Sequence, residues 1–473
     1  MSTVAAAKIV SQRSYQVAGK LKITEHFFDV PKDYSKPDGG TIRIFARSVK
    51  KQETPVVPDT AKDKDQLPWQ GILETTLYWM CYLQGGPGMN CRSPPNYSFT
   101  QPVLERGYQM LYLDQRGTGL SSPVTASTLQ MRGVNDVQAR YLKLYRADSI
   151  VKDCEAVRQA LTADFPEEKK KWSLMGQSFG GFCIITYLSF HPEGLRESFI
   201  FGGLQPLVKS PDEVYRSLYK KVIERNEAYY AKFPEDVGRV KTIMAYLSRF
   251  GDGKIKLPSE GTLTRRRFAQ LGIMLGFHGG IDTLHEIVLA AHMDIEAFGH
   301  LTRPTLSAID STAIFDDHLL YAIMHEPIYC EAHAPKWSAH RVLQEEYADT
   351  FSLEKAQGDD TQPIFFTGEM VFPHMFEDYS ELRKLQPVAE LVAADNSWTP
   401  LFDLAQLAKN QVPVYAAAYT EDMYVDFDLS MKTAKRIKGC KVFVTNVMFH
   451  DAVRSKMEEV IRNVFALRDD LVE

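Results

Sequence analysis

Short apolar runs that end in glycine or polar residues recur along the first part of the chain. Residues 77–83, 172–175 and 198–203 form such runs, and segments with helical spacing lie between them. Strand patterns that alternate with helix patterns predict an α/β fold, in which a mostly parallel central sheet is flanked by helices. Two late apolar runs, residues 412–419 and 441–447, predict that the same architecture resumes near the end of the chain.

The middle of the chain has a different pattern. From about residue 211 to about residue 385 the spacing of apolar residues is mostly helical, as in residues 213–219 and 284–298. We interpret this segment as a helical cap inserted into the α/β core, because the strand pattern continues after it. The predicted parts are residues 1–206 for the first part of the core, residues 207–385 for the cap and residues 386–473 for the second part of the core.

Three polar segments are predicted to lie on the surface. Residues 50–70 carry prolines and many polar residues, and residues 357–361 combine glycine with acidic residues, which is typical of loops. Residues 265–267 are three consecutive arginines and are predicted to form a solvated helix face.

The apolar run 172–175 leads directly into Gly-Gln-Ser-Phe-Gly at residues 176–180, and an apolar helix pattern follows at residues 182–188. Strand, sharp turn and helix form the context in which the serine of Gly-x-Ser-x-Gly is a nucleophile. The helix also points its N-terminal amides toward the reaction site. The sequence therefore predicts Ser178 as the nucleophile, whereas the motif alone would equally fit an ordinary glycine turn.

A glycine-rich loop, Gln-Gly-Gly-Pro-Gly at residues 84–88, follows the predicted strand at residues 77–83. This architecture builds its oxyanion hole after an early strand, and acyl transfer needs backbone donors for the charge that develops on the carbonyl oxygen. Loss of one such donor costs about 2.7–4 kcal/mol. We expect the amides of Gly86 and Phe179 to be the donors, with a plain turn as the alternative reading of the loop.

Candidates for the other two catalytic residues follow the two late strands. Asp422 comes after residues 412–419, at the strand end where open α/β sheets place their chemistry. His450 follows residues 441–447, and its side chain suits proton transfer near neutral pH. The order Ser178, Asp422, His450 is that of α/β hydrolases. The acids that compete with Asp422 are Glu421, Asp426 and Asp428.

Three glycine motifs give the chain a resemblance to a known family. Residues 85–88 read Gly-Gly-Pro-Gly, residues 114–121 read Asp-Gln-Arg-Gly-Thr-Gly-Leu-Ser, and residues 176–181 read Gly-Gln-Ser-Phe-Gly-Gly. With these motifs the chain resembles the prolyl iminopeptidases, also called proline aminopeptidases, which have the α/β-hydrolase fold. Residues 27–31 and 42–46 resemble the longer branch of that family.

The chain departs from the family pattern at two places. Gln84 stands where shorter members have a histidine, which leaves the backbone amides of the loop unchanged. Residues 419–421 read Tyr-Thr-Glu in place of the usual Gly-Arg-x before the acid, so Asp422 is predicted from its position after a strand.

The resemblance implies a serine aminopeptidase that releases N-terminal proline from short peptides through a prolyl-enzyme, with no metal or organic cofactor. Such an enzyme must bind the positive amine of its substrate, and carboxylates are needed because a buried unpaired charge is costly. The family uses glutamates of the cap for this role. Glu326 and Glu369 match best because they lie among apolar or aromatic neighbours, and their alternative role is a helix cap or a surface acid.

Other functions share these motifs. Esterases, lipases and aminopeptidases of broader specificity use the same fold and triad, and a catalytically silent binding protein could keep the scaffold. Epoxide hydrolases and dehalogenases place an acid where Ser178 stands, so the sequence argues against them. An absence of amine-binding carboxylates would favour an esterase, and failure to react with a serine-directed phosphonate would favour the silent protein.

Composition indicates the cellular compartment and the classes of partner that the sequence predicts. The 473 residues carry a formal net charge of −5, which gives no electrostatic basis for binding nucleic acid. No apolar run is long enough to cross a bilayer, and residues 1–8 lack the regions of a signal peptide. The six cysteines show neither disulfide nor Cys-x-x-Cys metal spacing, and Cys81 and Cys183 are predicted core residues. We therefore predict a cytoplasmic protein without membrane or nucleic-acid partners, and leave open whether it forms a homo-oligomer.

Overall fold

One mixed sheet organises the computed structural model, which describes residues 4–52, 77–250, 254–312, 315–359 and 362–469. Its strands within these residues are β1 Lys8–Val17, β2 Leu21–Pro31, β3 Thr41–Lys51, β4 Tyr78–Leu83, β5 Tyr108–Asp114, β6 Trp172–Gln177, β7 Leu195–Phe201, β8 Val414–Tyr419 and β9 Cys440–Thr445. They lie side by side in the order β1-β2-β3-β5-β4-β6-β7-β8-β9.

The sheet is mostly parallel, as predicted. Strands β1 to β3 pair antiparallel, and β3 also pairs antiparallel with β5. Every pair from β5–β4 to β8–β9 is parallel. The five apolar runs singled out in the sequence correspond to β4, β6, β7, β8 and β9. Because the ends of parallel strands meet at one edge, the loops after β4, β6, β8 and β9 converge there.

Helices cover both faces of the sheet, and a further group of helices comes between β7 and β8 along the chain. The α-helices of the described residues are α1 Thr100–Glu105, α2 Ala126–Gln130, α3 Asn135–Leu142, α4 Ala147–Leu161, α5 Phe179–Phe190, α6 Asp212–Lys232, α7 Asp236–Arg249, α8 Arg265–Ala269, α9 Gly280–Phe298, α10 Arg303–Thr312, α11 Leu319–Met324, α12 Ser338–Glu346, α13 Leu353–Gly358, α14 Met375–Asp378, α15 Gln386–Ala394, α16 Leu404–Ala408, α17 Phe427–Arg436, α18 Ala452–Ser455 and α19 Met457–Asp469.

The apolar core is divided by the sheet into two clusters. Alternate residues of a strand point to opposite faces, so Cys81 of β4 joins the cluster that includes α4 and α5. Its neighbour Tyr82 joins the cluster that includes α1 and α19. Cys81 and Cys183 have no exposed surface, which confirms them as core residues. Central strand β5 is buried along its whole length, whereas edge strand β1 is mostly exposed.

The helical insertion is present in the structure. Helices α6 to α14 fall within residues 207–385, and the described residues between β7 and β8 add no strand to the sheet. They form only one isolated bridge, between Lys256 and Thr262. The boundaries given for the three parts of the chain stay predictions. Helix α9 contains the stretch 284–298 that the sequence identified as helical, and α6 contains residues 213–219.

The prediction of a solvated arginine face was wrong for Arg267. This residue of α8 is only 5% exposed, and its guanidinium donates to the backbone oxygen of Asp378 (2.9 Å) and to the Asp310 carboxylate (3.1 Å). The short helix α8 lies between α10 and α14, so one of three consecutive arginines must point inward. Arg266 also pairs with Asp378, at 2.9 Å.

Two loop predictions fall largely or partly outside the described residues. These are residues 53–70 of the first polar segment and residues 360–361 of the second. The loop prediction was wrong for residues 50–51, which end β3, and for residues 357–358, which end α13. Within the described ranges, no helix combines the length and the apolar character that crossing a bilayer requires.

Candidate active site

Ser178 occupies a strained turn between β6 and α5. Its φ is +54°, a conformation that non-glycine residues rarely adopt, and its amide donates to the Phe201 oxygen of the next strand at 3.0 Å. A Cβ at Gly180 would lie 2.0 Å from the Leu83 oxygen, and a Cβ at Gly176 would lie 2.5 Å from the Gly180 backbone. The glycines therefore allow β4, β6 and α5 to meet closely behind the serine.

Gly180→Ala should destabilise the protein by about 1–3 kcal/mol or more, because the new methyl group overlaps the backbone of Leu83. Thermal unfolding measures this change. Gly238→Ala is the matched control, since a Cβ there meets nothing within 4 Å in helix α7. Alanine at an open helical position should stabilise by up to about 1 kcal/mol. Equal melting temperatures for the two variants would show that the close contact at Gly180 is not real.

Asp422 and His450 form a buried pair. The Nδ1 atom of His450 lies 2.7 Å from Oδ2 of Asp422, and both residues are at most 5% exposed. The second carboxylate oxygen, Oδ1, accepts from the amides of Tyr424 (2.8 Å) and Val425 (3.0 Å). Because these amides fix the carboxylate, Asp422 can hold the imidazole in one orientation.

The three competing acids have other partners or surroundings. Asp426 accepts from the amide of Leu429 at 2.8 Å and so caps helix α17. Glu421 lies 3.7 Å from the ammonium group of Lys221, and Asp428 is exposed. Of the four acids proposed from the sequence, Asp422 is therefore the one paired with His450.

The charge of Asp422 controls the protonation of His450. Burial lowers the pKa of His450, but the adjacent carboxylate of Asp422 and, to a smaller extent, that of Glu369 oppose this effect, and the net result is a pKa above 6.5. With Nδ1–H donating to Asp422, the lone pair of the neutral ring is on Nε2. The pair thus has the arrangement that a base with a defined tautomer requires, and the role of His450 as that base stays a prediction.

Backbone near Gly202 and Gly203 connects the pair to Ser178. A Cβ at Gly202 would lie 3.3 Å from Nδ1 of His450 and 3.4 Å from Oδ2 of Asp422. A Cβ at Gly203 would lie 2.4 Å from the backbone oxygen of Ser178. In addition, the side-chain amide of Gln177 donates to the backbone oxygen of His450 at 3.4 Å. The structure thus brings the loops of Ser178, Asp422 and His450 together at one edge of the sheet.

The glycine loop after β4 lies against Ser178. A Cβ at Gly85 would be 3.0 Å from the Cβ of Ser178. Gly86 is the next residue of the loop. Phe179 is the first residue of α5, and its amide precedes the hydrogen bonds of the helix. Both amides thus belong to backbone that borders Ser178, and their role as oxyanion donors stays a prediction.

Gln84 supports this loop from inside the protein. Its side-chain oxygen accepts from the hydroxyls of Tyr82 and Tyr97, each at 3.0 Å, and its backbone oxygen accepts from the Gln115 side chain at 2.9 Å. The glutamine that replaces the family's histidine is therefore part of the support of the loop.

The second signature, residues 114–121, is also structural. Arg116 is fully buried and forms a two-pronged ion pair with Asp153, with distances of 2.7 Å from Nε and 2.6 Å from an Nη atom. The Asp114 carboxylate accepts from the amides of Cys91 (2.8 Å) and Leu120 (3.0 Å). These contacts fix the loop that leaves β5 next to the glycine loop.

Glu369 lies in the electrostatic environment of His450 and Asp422. Its side chain is 14% exposed, it accepts a hydrogen bond from the hydroxyl of Tyr321, and Oε2 is 3.9 Å from Nε2 of His325. Burial raises the pKa of Glu369 to about 7, while His450 and the Tyr321 hydroxyl oppose that rise. A carboxylate whose pKa is so close to neutrality is partly protonated at neutral pH, and a cationic partner would stabilise its ionised form.

Glu326 has a different set of partners. Its two carboxylate oxygens accept from the amides of Ser338 and Ala339, each at 2.9 Å, at the start of helix α12. Burial raises its pKa to about 8 although these amides oppose the rise. Glu326 therefore makes the contacts of a helix cap, which was the alternative role predicted for it. The assignment of Glu326 as an amine ligand stays a prediction.

Comparison with known proteins agrees with this fold. A family model described as the alpha/beta hydrolase fold matches residues 78–270. Proline iminopeptidase aneH of Aspergillus aculeatus is 44% identical over 470 residues, which cover 99% of this chain and 99% of that protein. The chain belongs to the proline iminopeptidase family of α/β hydrolases. The resemblance inferred from the glycine motifs is thereby confirmed.

A bacterial member of the proline iminopeptidase family is also similar along its full length. Proline iminopeptidase of Aeromonas sobria is 38% identical over 464 residues, covering 98% of this chain and 100% of that protein. Among solved structures, the Rv0554 structure from Mycobacterium tuberculosis aligns with 93% of this chain and 98% of its own, at 13% identity and a TM-score of 0.42.

Three side chains at this site of the proline iminopeptidase fold were not identified from the sequence. Tyr321 contacts Glu369, and the ring of Tyr424 lies 4.7 Å from that of His450. His325 is buried, its pKa is lowered by burial to about 4, and its Nδ1 has no hydrogen-bond partner within the described residues. The sequence signal that could have identified His325 is its position directly before the candidate Glu326.

Proposed function

We propose that the protein is a prolyl aminopeptidase, a serine hydrolase that removes N-terminal proline from short peptides. The observation that carries this proposal is the 2.7 Å contact between His450 and Asp422, beside the strained Ser178, in a chain 44% identical to a proline iminopeptidase over its length. The side-chain arrangement that a serine hydrolase needs thus occurs in a chain that belongs to the proline iminopeptidase family.

In the proposed mechanism, Nε2 of His450 takes the proton of Ser178 while the serine oxygen attacks the carbonyl of the N-terminal proline. The amides of Gly86 and Phe179 stabilise the oxyanion. His450 then gives its proton to the leaving amine, which leaves a prolyl-enzyme that water cleaves with His450 again acting as base. Asp422 fixes the tautomer and stabilises the imidazolium in both steps.

Recognition of the free amine is assigned to the cap. Glu369 is the stronger candidate because its carboxylate interacts electrostatically with both His450 and Asp422. Glu326 is the weaker one because both of its oxygens accept amides of α12. An ammonium group near Glu369 would favour the ionised carboxylate and so offset the cost of burying both charges.

Substitution of the cap glutamates tests this assignment. Glu369→Gln should lower kcat/KM for proline naphthylamide by about 10- to 100-fold, because a hydrogen bond to a charged group contributes about 1.5–3 kcal/mol. Hydrolysis of p-nitrophenyl acetate, which has no amine, should change by less than about threefold on the same scale. Glu326→Gln should have a smaller effect on the amide substrate and should also lower the melting temperature, because its carboxylate caps α12.

The control is Glu227→Gln, an exposed glutamate of helix α6 in the cap, which should leave both substrates unaffected. Equal losses on the amine-bearing and the amine-free substrate would remove the amine-binding role from Glu369. Strong ester hydrolysis without release of proline would instead identify an esterase on the same scaffold.

We also propose that the enzyme works in the cytoplasm. All six cysteines are free, and five of them are buried, which suits a reducing compartment. Cell fractionation followed by immunoblotting tests this location, and recovery in a secreted or membrane fraction would contradict it.

A further inference from the structure

We propose that His278, a residue of the cap, is a positioning residue that holds the loop of the catalytic base, so that the cap takes part in setting the orientation of His450. This proposal rests on the proposed function, since it assigns a role within that reaction. His278 lies between a 3₁₀ helix, Gln270–Gly276, and helix α9. It is thus more than 170 residues away from the base along the chain.

Contacts of His278 reach the residues on both sides of His450. Its Nδ1 atom lies 2.7 Å from Oδ1 of Asp451, and its backbone amide donates to the same oxygen at 3.0 Å. On the other side, the amide of Phe449 donates to Nε2 at 3.4 Å, and the two rings meet edge to face at 5.0 Å. One cap histidine therefore holds the backbone before and the side chain after the base.

One tautomer of the His278 ring fits the contacts with Asp451 and Phe449. A neutral imidazole with its proton on Nδ1 donates to Asp451 and offers the Nε2 lone pair to the amide of Phe449. A ring with protons on both nitrogens would point an N–H at the Phe449 amide. The hydroxyl of Ser455, 2.8 Å from Nδ1, adds a third partner on the Asp451 side.

A second cap residue supports the same loop. The guanidinium of Arg225, on helix α6, lies over the ring of Phe449 at 4.6 Å and donates to the backbone oxygen of Leu275 at 2.9 Å. Arg225 thereby joins α6, the 3₁₀ helix before His278 and the loop of the base. The loop at residues 449–451 is thus contacted by two cap side chains, whereas Asp422 reaches His450 from the core.

The consequence concerns the reactivity of Ser178 more than substrate affinity. Displacement of a catalytic group by about 1 Å costs about 100-fold in rate. Loss of the His278 contacts frees the loop on both sides of His450, so kcat should fall while KM remains nearly unchanged. The loss should be the same for an ester as for proline naphthylamide, because the base serves both.

Two substitutions at His278 test the proposal. His278→Leu keeps the volume beside Phe449 but removes the hydrogen bonds, and should lower kcat by about 10- to 100-fold on both substrates. The rate of reaction of Ser178 with a fluorophosphonate should fall by a similar factor. His278→Asn restores a donor near the Nδ1 position but no acceptor for the Phe449 amide, and should recover part of both rates. Titration of Ser178 with the same reagent counts the folded sites, so that rates are compared per competent site.

His285→Ala provides the matched control within the cap. This histidine also pairs with an aspartate, Asp236 at 2.8 Å, and stacks on Phe233, but its partners belong to α7 and the end of α6. The variant should lose thermal stability and keep the rate per titrated site. The proposal is overturned if His278→Leu keeps the rate per site of the unmodified protein, or if His278→Asn is as slow as His278→Leu. The ester and the fluorophosphonate both react with Ser178 through the base and carry no amine. The outcome therefore stands even if proline release fails.

Discussion

Ser178→Ala is expected to lower kcat for proline naphthylamide by about 10⁶-fold, the size of loss associated with removal of a serine nucleophile. The remaining rate comes from the oxyanion donors and from substrate binding, which the substitution leaves in place. KM should change little, because the hydroxyl contributes to the transition state and not to recognition of the amine.

Release of naphthylamine by purified enzyme measures this loss. Ser189→Ala is the control, because Ser189 is a buried serine of the same helix α5 whose hydroxyl donates to the Ile185 oxygen at 2.8 Å. It should retain nearly full activity. If Ser178→Ala kept more than about one hundredth of the wild-type rate, the covalent mechanism would be refuted.

Asp422→Asn is expected to lower kcat by about 10⁴-fold, because the amide can stabilise the wrong tautomer of His450 and carries no charge to balance the imidazolium. It should also change the pH profile. Asp422 raises the pKa of His450 above 6.5 against the lowering effect of burial. Without the Asp422 carboxylate the largest influence that raises this pKa is lost, so the pKa falls and the acid limb of the kcat/KM profile should move to lower pH.

The profile is best recorded with p-nitrophenyl acetate, since an amine-free substrate does not need the Glu369 carboxylate, whose pKa is about 7, to bind an ammonium group. With proline naphthylamide, the wild-type enzyme should gain activity more steeply as the pH rises, because both neutral His450 and ionised Glu369 are then favoured. Asp428→Asn, an exposed acid of helix α17, is the control and should not move the limb. A limb that stays in place or moves to higher pH in Asp422→Asn would contradict the assigned role of Asp422.

The sequence was sufficient for the elements that depend on local pattern. Five sheet strands follow from apolar runs, and the steric need for glycine behind Ser178 follows from the tight packing of α5 on β4 and β6. Asp422 and His450 were located because parallel strands deliver their loops to one edge of the sheet. Each of these inferences uses a spacing of a few residues or a general rule of sheet topology.

Contacts made by the cap could not be predicted in this way. Arg267 is buried although its neighbours suggest a charged surface, because α10 and α14 supply its partners from positions 43 and 111 residues away. The bonds of Glu326 to α12 and of Glu369 to Tyr321 likewise depend on how helices pack, which apolar spacing does not specify. His278 was overlooked for the same reason, since Asp451 is 173 residues away.

The most direct test of the central claim uses a diphenyl phosphonate analogue of proline with a free amine, followed by peptide mass spectrometry of the labelled protein. The account predicts one adduct per chain, on Ser178, formed in step with the loss of proline naphthylamide hydrolysis, and much slower labelling by the N-acetylated reagent. Full proline-releasing activity after complete labelling, or an adduct on another residue that abolishes activity, would contradict it.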